Sequence, residues 1–144
     1  MLKGMWVTSL RVGKNRGMPL DLRGLSKVLK ATPLFAALTD AEIQLLSERT
    51  RGRAYSSGEL LFSEGEPCTG LYMIASGRVR IFKVSSSGRE HVLAVERPGS
   101  SIAELPVFDG GNYPASAAAV EASELLFLPR KDFERSASSI LKLR

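Results

Sequence analysis

The 144-residue sequence predicts one mainly β domain. The expected fold is a double-sheet jelly roll (a double-stranded β-helix), flanked by N-terminal helices and by the start of a C-terminal helix. Three observations predict it. From Arg51 to Leu128, short β-rich runs alternate with glycine turns at about the 8–12-residue spacing of all-β folds. Helical periodicity is confined to the two ends of the chain. One stretch, Gly99–Ser116 (GSSIAELPVFDGGNYPAS), breaks the strand pattern. Its prolines and paired glycines suit neither a strand nor a long helix, and it reads as a single helical turn between strands.

Composition bounds the function. Hydrophobic residues at 44% and charged residues at 24% are ordinary for a globular chain. No apolar run reaches the ~18 residues of a membrane span. The single cysteine, Cys68, makes no internal disulfide and no cysteine-based metal site, so a reducing, cytoplasmic setting is expected. The net charge of +5 is unevenly placed: residues 1–30 hold seven basic residues against Asp21, leaving the other 114 residues at −1. A folded basic surface for nucleic acid is therefore not expected. Residues 1–19 read as a basic disordered leader without the apolar segment of a secretory signal.

In chain order, Leu20–Lys30 spaces apolar residues at 22, 25, 28 and 29, which predicts a short amphipathic helix. Ala31-Thr32-Pro33 breaks it. Thr39-Asp40-Ala41-Glu42 is a capping box that opens a helix to about Arg49, with Ile43 and Leu46 inward. The predicted strand runs are Arg53–Tyr55, Glu59–Phe62, Leu71–Ile74, Arg78–Val84, Glu90–Val95, Ala115–Val120 and Glu124–Leu128. Alternation in Arg78–Val84 puts Val79 and Ile81 on one face and Phe82 on the other. Pro129 ends the strands. Arg130–Arg135 restarts a helical pattern, and residues 139–144 read as the start of a truncated helix.

Gly99–Ser116 is the candidate site. A single turn between strands offers backbone N–H groups and the positive end of a dipole, which suits an anion. Glu104, inside an apolar block, is the carboxylate placed to accept a hydroxyl such as that of a ribose. The expected ligand-binding residues are Gly99, Ile102, Ala103, Glu104, Leu105, Pro114, Ala115 and Ser116.

From Leu29 to Leu143 the chain resembles the cyclic-nucleotide-binding domain of the catabolite activator and fumarate–nitrate regulator (CRP/FNR) family of bacterial transcription factors. The resemblance rests on an ordered set: LKATPLFAALTDAEIQLL, YSSGELLFSEGEP (55–67), GLYMIASGRVRI (70–81), GREHVL (88–93), Pro98-Gly99 and Ile102-Ala-Glu-Leu. It implies a cyclic-nucleotide-binding-like β-roll over residues 20–138. Gly65 and Gly77 stand at the family's turn glycines, and Glu104 at the position that takes the ribose hydroxyl. It also implies a homodimer in the full-length form, and DNA contact only through a helix-turn-helix domain that this chain lacks. The family's Arg-Ser phosphate pair falls, without gaps, on Pro114 and Ala115. Losing a charged hydrogen bond costs about 1.5–3 kcal/mol, at least about tenfold in affinity. The implied effector is a cyclic nucleotide of the cAMP kind or a divergent small molecule.

The same residues set aside other classes. An iron–sulfur sensor needs more cysteines than Cys68. A cupin-type enzyme needs several histidines, and His91 stands alone, an ordinary strand residue in Glu90-His91-Val92. No nucleophile–base pair can be assembled, so no enzyme is expected. The alternative reading is a stand-alone module that regulates or docks to another protein.

Overall fold

The computed structural model describes residues 22–103, 106–107 and 110–135. The basic leader of residues 1–19 and the expected helix start at 139–144 lie outside the described residues.

Helix α1 (Leu22–Ala31) forms where the spacing of apolar residues predicts one. Leu29 is fully buried, with Leu25 and Val28 packed partly buried against the core. Thr32 stops it. Its N–H donates to the Leu29 carbonyl (3.1 Å) and its hydroxyl to the Val28 carbonyl (2.9 Å). Pro33 then opens a 3-10 turn (Pro33–Phe35), where its missing N–H removes no bond. Helix α2 (Asp40–Arg49) has both halves of the capping box: the Glu42 N–H donates to Thr39 Oγ1 (3.2 Å), and the Thr39 N–H to Glu42 Oε1 (2.8 Å). Ile43 and Leu46 are buried as expected. Neither helix is long and apolar enough to cross a membrane.

Eight strands follow: β1 (Arg51–Tyr55), β2 (Leu60–Phe62), β3 (Gly70–Ser76), β4 (Val79–Val84), β5 (Glu90–Glu96), β6 (Ser101–Ile102), β7 (Ser116–Ala119) and β8 (Ser123–Pro129). They pair antiparallel in two four-stranded sheets, of order β1-β8-β3-β6 and β2-β7-β4-β5. Seven strands match the predicted runs. The eighth, β6, is two residues long and lies where the sequence reads as a serine-rich run. Too short to show a period, it exists because β3 offers a pairing edge, with Tyr72 opposite Ile102 and Met73 opposite Ser101.

The core sits on both faces of β3 and β8. Tyr72 and Phe127 share the face turned to the second sheet, where the Phe62 ring meets Tyr72 at 5.6 Å. Leu71, Met73, Leu126 and Leu128, on the alternate positions, face the side packed by α1 and α2, and all four are fully buried. This double burial accounts for the unbroken apolar runs in these strands. In β4 the alternation holds, with a β-bulge between Ile81 and Phe82. Phe82 lies on the face opposite Ile81, yet it is 6% exposed, with the Arg80 guanidinium 4.8 Å from its ring centre. Gly77 turns β3 into β4 at φ +89°, and a side chain there would overlap Ser123. A third helix, α3, starts at residue 130 and is described to residue 135. Its Phe133 is fully buried in the core.

Candidate functional site

The site is built from the end of β5 to the start of β7. Gly99, at φ +97°, turns the chain so that its N–H reaches the Ile74 carbonyl (3.2 Å), while the Ile74 N–H reaches the Ser100 carbonyl (3.0 Å). Ile102 is held by β3 and is 7% exposed. Ala103 follows at φ +75°, the one non-glycine residue in the left-handed region among the described residues. That conformation costs an alanine about 1–2 kcal/mol, and strain of this kind concentrates where a fixed turn serves a function.

The expected helical turn is present. The Val107 N–H donates to the Ala103 carbonyl (3.2 Å), and the Gly110 N–H to the Pro106 carbonyl (2.8 Å). Val107 is fully buried and anchors the turn. Pro106 is tolerated because the start of a helix leaves its N–H without an intrahelical partner in any case. Glu104 and Leu105 lie outside the described residues.

The return path is clasped by residues 64–69. Tyr113 exchanges backbone bonds with Gly65 and Glu66 (both 2.9 Å), and the Cys68 N–H donates to the Gly111 carbonyl (3.2 Å). The Tyr113 ring stacks on Phe62 at 3.8 Å, and its hydroxyl accepts from the Thr69 N–H (3.0 Å). Burial pushes the Tyr113 phenol up, opposed by the Thr69 hydrogen bonds, so it is a neutral phenol at ordinary pH. Pro114 is exposed and Ala115 buried. Ser116, the first residue of β7, is also buried, and its hydroxyl accepts from the Glu64 N–H (2.8 Å). That oxygen serves the 64–69 clasp, a use the sequence does not reveal.

The described residues of the turn carry no charge. The cation that touches it comes from α3. Arg130 lies with its guanidinium directly over Gly110, which adopts φ +78°, and its Nε donates to Glu134 Oε2 (3.1 Å). Its own N–H donates to the Thr69 carbonyl (2.9 Å), tying α3 to the same clasp. Sequence reasoning passes over Arg130, because nothing in its spacing points to Gly110, twenty residues upstream. Cys68 is buried with its Sγ near the Gly70 carbonyl (3.5 Å), and His91 is exposed on β5. Among the described residues no cluster of histidine, cysteine and carboxylates could hold a metal ion.

A β-roll of two antiparallel sheets frames one strained, glycine-closed turn, with helices packed on one side. The profile of the "Cyclic nucleotide-binding domain" family matches residues 52–139. The chain belongs to that family, and CRP/FNR regulators are among its relatives. It is 39% identical over 105 residues to the "Cyclic AMP receptor protein" of Thermus thermophilus, covering 73% of this chain and 49% of that protein. It is 28% identical over 109 residues to "Transcriptional activator protein anr" of Pseudomonas aeruginosa, covering 75% of this chain and 44% of that one. The sensor domain of the transcriptional regulator DNR from Pseudomonas aeruginosa superposes with a TM-score of 0.77 at 29% identity, over 85% of this chain and 82% of that one. The chain spans about half the length of the curated relatives it matches.

Proposed function

We propose that this chain is the effector-sensing domain of a CRP/FNR-type transcription regulator, taking a small ligand at Gly99–Ser116 and signalling through its C-terminal helix. The ligand is a cyclic nucleotide or a divergent effector, with Glu104 on a hydroxyl and backbone N–H groups on the anion. In this reading the roll spans residues 20–138, residues 1–19 form a basic leader, and residues 139–144 begin the helix that pairs two copies. DNA is read by a separate helix-turn-helix unit and not by the roll. The domain carries out no catalysis.

One observation carries the signalling step: the Arg130 guanidinium rests on Gly110 while the Arg130 N–H is bonded to Thr69. A ligand that reorders the turn moves Gly110, and Arg130 with Glu134 must follow. The ligand shifts the balance between two placements of α3 by its difference in affinity for them. Glycine at 110 permits both the left-handed backbone and the close approach of the guanidinium.

The test is calorimetric titration of the purified chain with cAMP and with cGMP, beside Glu104→Ala, with hydrogen exchange over residues 130–135. Saturable binding that weakens in Glu104→Ala and changes exchange in α3 is the expected result. Binding that leaves α3 unchanged refutes the signalling route. No binding at millimolar nucleotide refutes the cyclic-nucleotide ligand and leaves the divergent effector.

A further inference from the structure

Arg53 is a cation lodged in the roll. The β1–β8 register sets it opposite Leu125, which pairs in turn with Ile74, so it shares the face turned to the second sheet. Its Cζ sits 3.9 Å from the Phe127 ring centre, and its Nη1 donates to Tyr72 Oη (3.4 Å). Tyr55, two residues along the same face, lies beside both Arg53 and Tyr72. Among the described residues no carboxylate comes within ion-pair distance of Arg53. Arg78, just before β4, and Arg80, on it, differ: Arg78 holds Glu121 at 2.8 Å and Arg80 holds Glu90 at 3.0 Å. Glu59, the acid that Tyr55 senses, has its Oε1 on the Ser56 N–H (2.9 Å).

A half-buried guanidinium backed by aromatic rings, with no carboxylate against it among the described residues, has lost part of its hydration, a state that favours an incoming anion. It has donors to spare, since of its five N–H groups only those on the Tyr72 and Tyr55 hydroxyls are engaged among the described residues, and the fork matches an oxyanion. Burial pushes both Tyr55 and Tyr72 up, so their hydroxyls stay protonated; they are hydrogen-bonded to each other, which leaves one O–H of the pair to donate. Arg53 and Tyr55, on an edge strand, are both partly exposed, and Tyr72 is buried behind them. The cation stands apart from the turn: β1 is three strands across the sheet from β6, where the turn begins, about 14 Å at the usual strand spacing, while Tyr72 on β3 is paired with Ile102 of β6.

We propose that Arg53, with the Tyr55 hydroxyl beside it and Tyr72 behind it, forms a second binding site for a small oxyanion, a phosphate or carboxylate group, at the β1 edge of the roll. Its cation is Arg53 and not a residue of the Gly99–Ser116 turn. The test is NMR titration of the full chain with inorganic phosphate and, separately, with acetate, at constant ionic strength. The expected result is saturable shifts at Arg53, Tyr55 and Tyr72 with at least one anion. Affinity should fall at least about tenfold in Arg53→Gln. It should also fall in Arg53→Lys, which keeps the charge and loses the fork. Phosphate alone identifies a tetrahedral oxyanion, and acetate alone a carboxylate; either supports the site. Tyr55→Phe keeps the packing and should weaken binding, which decides the matter if Arg53→Gln does not fold. Absence of saturation with both anions, or affinity unchanged in the Arg53 and Tyr55 variants, overturns the proposal. Anion binding that responds to Glu104→Ala and not to Arg53→Gln places the anion at the turn, overturning this site while leaving the sensing role standing.

Discussion

Gly110→Ala perturbs the contact on which the signalling route depends. Two costs can be worked from the structure. An alanine at φ +78° sits in the left-handed region, at about 1–2 kcal/mol. The new Cβ would also overlap Arg130 Nη2. The guanidinium is the end of a flexible chain and can swing aside, at the cost of its pair with Glu134, about 0.3–0.5 kcal/mol for an exposed i,i+4 pair. The sum is about 1.3–2.5 kcal/mol, a fall in Tm of roughly 3–10 °C for a domain of this size. The assay is thermal unfolding of four proteins: wild type, Gly110→Ala, Arg130→Ala and the double variant. Removing the guanidinium removes the overlap, so Gly110→Ala should cost less in the Arg130→Ala background by a few tenths of a kcal/mol or more. Gly110→Asn tolerates the backbone better but keeps the overlap, and should fall between wild type and alanine. A Gly110→Ala protein as stable as wild type refutes the strain argument. Strict additivity in the cycle refutes the Gly110–Arg130 contact.

Other outcomes follow from the same geometry. Thr39→Ala removes one half of the capping box and should cost about 1 kcal/mol, seen as a lower urea midpoint with unchanged slope. Pro114→Arg combined with Ala115→Ser restores the charged pair of the family, and should raise cAMP affinity at least about tenfold by calorimetry; an unchanged affinity would show that the phosphate does not lie at these positions. Burial pushes the Glu124 carboxyl up, opposed in part by the Ser76 hydroxyl. Its contribution to stability is therefore fully present below the unfolded pKa and is lost as pH rises through the higher folded one. Glu124→Gln should accordingly raise Tm at neutral pH and leave it little changed in acid, and a Tm gain of equal size at both would refute the assignment.

Local chemistry was legible in the chain because it depends on neighbours in sequence. The capping box at Thr39 and Glu42, the stop at Thr32-Pro33, the period-two runs, the turns at Gly65 and Gly77 and the helical turn after Ala103 all arise from residues a few positions apart. The ordered family resemblance rests on the same local marks. Tertiary structure alone decided which faces and ends meet. β6 is a strand only because β3 lies beside it, and the Ser116 hydroxyl takes the N–H of Glu64, far off in the chain. Alternation put Phe82 on the face opposite Ile81; only packing buried it there. Nothing in the sequence singles out Arg53 in its strand run or Arg130 in its helical pattern. Pairing between β1 and β8 turns the first into the roll, and the start of α3 sets the second over Gly110. The physical reason is common to all of these. Periodicity assigns side chains to two faces of an element, but what covers each face is set by strand register and by contacts between residues far apart in the chain.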